Sequence, residues 1–137
     1  MKYMVLLLLA LFCSPLASSE VEESRLDIFS YGPTGVGADY TPMMKMILSH
    51  SKHRDAENDF YLLTTMRNSS IRLYGLVGLK IVGSKRFEEC KNDMLKSEDV
   101  VLYGVGCKVY SDKVQRIVKD IADSKLTDFL RKEDVPN

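Results

Sequence analysis

The chain has no tryptophan, four prolines and two histidines, and its 19 basic residues are matched by 19 acidic ones. Each shortage excludes something. Charge balance removes the electrostatic case for nucleic acid, which needs a basic face to neutralise phosphates, and for an anionic membrane surface. Two histidines, His50 and His53, leave little material for imidazole chemistry. No nucleophile elbow, zinc-protease helix or Cys–His arrangement occurs. No residue is therefore assigned a catalytic, metal-ligating or cofactor-binding role. The apolar run Met4–Phe12 is far short of the roughly 20 residues that cross a bilayer.

That run is nevertheless the clearest signal present. Lys2 supplies one positive charge ahead of it, and Cys13-Ser14-Pro15-Leu16-Ala17-Ser18-Ser19 supplies small residues and a helix breaker behind it. These are the three parts of a secretory signal peptide. Residues 1–19 are expected to be removed after Ser19, leaving 20–137 as a single exported domain of 118 residues, periplasmic or secreted and without membrane insertion. Lipidation of Cys13 fails as a reading because Phe12 is not the small residue it requires. Two cysteines survive cleavage, Cys90 and Cys107. In an oxidising compartment the pair reads as one disulfide, against the alternative of two separate buried thiols.

Beyond the acidic leader, Leu26–Tyr31 is short, apolar and partly aromatic, and reads as a strand. The glycine- and proline-rich stretch 32–37 forces a loop. Thr41-Pro42 is an N-cap followed by proline at the first helical position, opening a helix over Met43–Leu48. Asp55 starts a second, with Ala56, Phe60, Leu63 and Arg67 on one side. Asn68 or Ser69 opens a third over Ile71–Val82, which Gly83 can close. Being apolar nearly all round, this third helix is expected at the centre of the domain. Gly75 and Gly78 cost it about 1 kcal/mol each relative to Ala, so another helix or the Cys107 segment should pack closely there. Ser84 caps a fourth helix whose inner face is Phe87, Cys90, Met94 and Leu95. Val100–Tyr110 reads as one further strand or extended segment, pairing with Leu26–Tyr31. Ser111 then caps a last helix with Val114, Ile117, Val118 and Ile121 at i, i+3, i+4 and i+7.

Three constellations invite a chemical reading. The spacing of Gly32 and Gly37 fits a phosphate-binding loop, but Ala38 stands where lysine must be and Asp39 would repel phosphate. His50 and His53, with Asp55 close by, could approach one metal ion, yet zinc needs three or four ligands with support behind them, and Ser49–Asp55 reads as solvated surface. Tyrosine beside glycine is the most distinctive pattern. Tyr31 and Tyr40 flank the first glycine loop, and Tyr103 and Tyr110 flank Gly104-Val105-Gly106-Cys107. Such tyrosines either close the edge of a small core or offer stiff, amphipathic rings to a partner.

The block Leu73-Tyr74-Gly75-Leu76-Val77-Gly78-Leu79, followed by Phe87 and by Gly106-Cys107 leading into a helix, resembles a group of small bacterial exported proteins with no assigned activity. The likeness covers about the last two-thirds of the mature chain. It implies a packing pattern, and in that pattern the cysteine matching Cys107 recurs whereas Cys90 is a departure. The expected fold is mainly α: about five helices around a central apolar helix, with a minimal two-stranded β element. The expected function is that of an exported binding protein of the bacterial envelope, such as an immunity or inhibitor protein. Its partner would be a protein or other envelope macromolecule, met through Tyr31, Tyr40, Tyr103 and Tyr110. The alternative is a small hydrolase using two carboxylates in a groove, which the abundant Asp and Glu permit without singling out a pair.

Overall fold

The computed structural model describes residues 28–32 and 40–124; the signal segment, the acidic leader, most of the first glycine loop and the C-terminal tail lie outside them. The described residues form β1 (Ile28–Phe29), α1 (Pro42–His50), α2 (Ala56–Thr64), α3 (Ser69–Ile81), α4 (Phe87–Met94), β2 (Val100–Val105), β3 (Lys108–Lys113) and α5 (Val114–Asp123). The architecture is mixed α/β. Among the described residues there are five helices, but the β element has three strands rather than two, in the order β1-β2-β3.

Local chemistry sets the helix ends. Thr41 Oγ1 accepts the Met44 N–H at 3.2 Å, and Asn68 Oδ1 accepts that of Ile71 at 3.1 Å. Both bonds satisfy amide donors that a helix start leaves without partners. At the far end of α3, Gly83 takes φ of +67°. There Ser84 N–H donates to Leu79 O at 2.9 Å and Gly83 N–H to Lys80 O at 3.1 Å. This doubly bonded stop needs a residue that tolerates the left-handed conformation. Asp55 stands at the start of α2, but its side chain makes no capping bond.

α3 lies at the centre. Leu73, Leu76, Val77 and Leu79 are completely enclosed, and Phe29, Phe60, Met94, Val114 and Ile121 belong to the same core. The element that approaches its glycines is α2. A Cβ on Gly75 would stand 2.7 Å from Phe60 O and 2.8 Å from Leu63 Cβ, and one on Gly78 would stand 2.4 Å from Phe60 Cγ. Close helix approach thus offsets the propensity lost at both glycines. Two polar side chains tie the periphery to this centre. Tyr74 Oη accepts the Ser30 N–H at 3.1 Å and donates to Ile28 O at 3.4 Å, serving backbone groups at the end of β1. Lys80 Nζ donates to Ile121 O, Ala122 O and Ser124 O at 2.5, 2.6 and 2.7 Å, capping the negative end of α5.

Three expectations need correction. Val100–Tyr110 is two strands, because Gly106 adopts φ of +58° and lets Val105 pair with Lys108 across a two-residue turn; positive φ at the first central position suits a hairpin turn. The last helix starts at Val114, not after Ser111. Ser111 and Asp112 pair with Leu102 and Val101, and the ladder holds them extended. Finally, Cys90 and Cys107 form no disulfide: both are free, Cys90 buried and Cys107 exposed at the hairpin turn. Cys90 lies on the core side of α4, with Sγ 3.6 Å from Thr64 Oγ1. Among the described residues no helix is long and apolar enough to cross a membrane.

Candidate functional site

β2 sits between β1, which runs parallel to it, and β3, which runs antiparallel. Side chains alternate across this small sheet. One face carries Phe29, Val101, Tyr103 and Tyr110 and turns toward the helices; the other carries Val100, Leu102, Val109 and Lys113. Register makes the assignment: Phe29 is opposite Tyr103, Tyr103 opposite Tyr110, and Val100 opposite Lys113.

Three of the four tyrosines singled out above meet on the inner face. The Tyr31 and Tyr103 rings lie 6.2 Å apart with 19° between their planes, and Tyr110 meets Tyr103 edge-on at 5.5 Å. Phe29 completes the row, 5.9 Å from both Tyr31 and Tyr103. Tyr103 is only 4% exposed, so it is a core residue and is not available to a partner. Tyr110, 44% exposed, is the open end of the row. Tyr40 packs half-buried against the core ahead of α1.

Burial pushes the Tyr103 hydroxyl well above the usual tyrosine range, and a hydrogen bond with the Tyr31 hydroxyl raises it further. Tyr31 and Tyr74 are also raised, in both cases chiefly by burial. The folded protein therefore keeps three protons that the unfolded chain loses above pH about 10. Their contribution to stability is complete below that pH and is lost as pH rises through the folded-state values. Urea unfolding is expected to show stability falling above pH 10, and Tyr103→Phe is expected to make the fall shallower. An identical pH profile in the variant would contradict this.

His50 departs most from expectation. The stretch 49–55 was expected to be solvated, but His50 closes α1 with its ring in the core, 6% exposed. Its Nε2 lies 2.6 Å from Asp59 Oδ2, and its ring stands edge-on to Phe60 at 5.5 Å. Nδ1 is buried and has no hydrogen-bond partner. A base needs a face open to substrate, and this imidazole has none; its evident work is to join α1 to α2. His53 is exposed, with its ring 5.1 Å away. Among the described residues no three His, Cys, Asp or Glu side chains converge on a metal-sized space. Residues 33–39 of the glycine loop, including Ala38 and Asp39, lie outside the described residues.

Sequence reasoning missed the exposed aliphatic side chains of the hairpin. Val100 (58% exposed), Val109 (54%), Leu102, Val105 and Tyr110 are five of the seven large apolar side chains exposed among the described residues. Enrichment in β-branched residues was visible in the sequence, but reading the segment as a single strand gave no reason to expect one face to be open. Val100, Leu102 and Val109 share the outer face of the two paired strands, as side chains of a surface that meets a partner commonly do, whereas Val105 and Tyr110 lie on the face that carries Tyr103. No protein family, curated protein or solved structure was found to match this chain.

Proposed function

We propose that this protein is an exported, soluble binding protein of the bacterial envelope, an immunity or inhibitor protein in type, with the hairpin β2–β3 as its contact surface. The observation that carries the reading is the group of exposed apolar side chains on the outer face of the hairpin, Val100, Leu102 and Val109. Aliphatic and aromatic groups held on paired strands lose little conformational freedom on binding, which favours affinity. Export rests on Lys2, the apolar run Met4–Phe12 and the small residues ending at Ser19.

Several described carboxylates are engaged in structural contacts. Asp59 holds His50, Asp93 faces Arg72 at 3.2 Å, and Asp99 accepts from Ser69 at 2.5 Å. The activity proposed is occupancy of a partner and not turnover. Immobilised protein incubated with envelope extract is expected to retain one macromolecule in roughly equal molar amount. Conversion of an envelope substrate by far less than a molar equivalent of protein, lost on replacing a single Asp or Glu, would overturn the reading in favour of a hydrolase.

A further inference from the structure

We propose that two copies of this protein pair through the free edge of β3, antiparallel and about a two-fold axis at Tyr110. β3 is the outer strand of the sheet, six residues long, without proline or glycine, and exposed at every position except the half-buried Asp112. Such an edge offers a row of unpaired backbone donors and acceptors to another strand.

The sequence of the edge selects its occupant. In a strand whose inner side is already paired, only alternate residues direct their N–H and C=O outward. Two identical antiparallel strands can therefore meet only where opposite residues are the same residue or lie an even number of positions apart. Two such registers overlap most of β3. An axis at Ser111 sets Tyr110 against Asp112 and Val109 against Lys113, with no charges matched. An axis at Tyr110 sets Lys108 opposite Asp112 of the second copy, twice, and Tyr110 opposite its own counterpart. Opposite charges and aromatic pairs directly across a ladder are the favourable combinations. Asp112 can serve both copies. Its side chain is 11% exposed; one oxygen accepts its own chain's Lys113 N–H at 2.8 Å and the other lies 3.7 Å from Arg116 Nε, so Lys108 of the second copy would share that carboxylate with Arg116. Pairing would also run the Tyr31–Tyr103–Tyr110 row on into the second copy, making one aromatic band across six strands. Val100, Leu102 and Val109 remain open on the opposite face, so the dimer presents the proposed binding patch twice. The inference does not depend on what that patch binds.

The native cysteines supply the test. In the full chain carrying Cys13→Ser, Cys107 is exposed and Cys90 buried, so a nitroxide label goes to Cys107. The Tyr110 register puts Cys107 opposite Lys113 of the second copy, separating the two Cys107 backbones by about 20 Å at the usual strand rise. Dipolar spectroscopy is expected to give a distance of roughly 20–30 Å between labels, growing in amplitude with protein concentration. Lys108→Asp is expected to weaken self-association at least tenfold by sedimentation, and Lys108→Asp with Asp112→Lys to restore it. Sedimentation as a monomer at about 1 mM would overturn the proposal. So would a label distance below about 10 Å, or undiminished association of a folded Lys108→Asp variant.

Discussion

Gly78→Leu should destabilise the fold by about 3 kcal/mol or more, near the top of the range for overpacking a well-filled core. Even the first carbon of the new side chain would lie 2.4 Å from Phe60 Cγ and 2.5 Å from Cδ1. The Phe60 ring has nowhere to retreat: it is 1% exposed and meets the edge of the His50 ring on another side. Leucine would bring a helix-propensity gain of about 1 kcal/mol, which sets the opposing effect and is too small to win. Gly75→Ala should also be costly, because there the obstacle is backbone, with Phe60 O at 2.7 Å and Thr64 N at 2.8 Å. Lys119→Ala, on the exposed side of α5, is the control, with an expected change within about 0.5 kcal/mol. Urea midpoints for the three variants decide the matter. A stable Gly78→Leu would show that α2 does not rest on this face of α3.

Tyr103→Ala should cost about 3–5 kcal/mol, as large aromatic truncations in a core do. Its ring is packed between Phe29, Tyr31 and Tyr110 at 5.9, 6.2 and 5.5 Å. Tyr110→Ala, at the open end of the same row, should cost about 1 kcal/mol or less. The contrast separates core from surface within one aromatic row, which the sequence alone could not do. Denaturant titration of the two variants measures it directly. Equal, small losses would mean that the row is a surface feature throughout.

Signals confined to a few neighbouring residues were readable without a structure. Thr41-Pro42, Asn68 and Gly83 mark helix ends because capping depends on residues three or four positions apart. Val114, Ile117, Val118 and Ile121 lie buried on one face of α5 as their spacing requires. What escaped depends on partners distant in sequence. Ser111 is a reasonable helix cap until pairing with Leu102 draws it into β3. The expected Cys90–Cys107 bridge was argued from the oxidising compartment, which does not reveal that one thiol faces Thr64 in the core while the other sits on a hairpin turn.

His50 illustrates a legible signal that polarity masked. Met44, Ile47 and His50 are the buried residues of α1, spaced three apart, and the flat carbon body of the imidazole ring continues that stripe. Its polar surroundings in sequence suggested surface, but Asp59, nine residues on, provides the hydrogen bond that burial demands. The candidate site followed a similar course. Tyrosines near glycines drew attention to the segment that forms the hairpin, while the apolar groups exposed there are mainly aliphatic. Exposure on a sheet follows from which face the helices cover, and that is decided by the whole fold.

The central claim is that the hairpin is where this protein binds, and Val100→Asp tests it most directly. Val100 is 58% exposed and stands opposite Lys113, so an aspartate there meets a cation across the strands and should leave stability within about 1 kcal/mol of the original. Placed in the apolar patch, the same charge should lower the amount of envelope macromolecule retained at least tenfold, in line with losing a central contact. Quantified capture by the two proteins, matched for folding, is the measurement. A tenfold loss is the predicted result; retention within twofold would contradict the account.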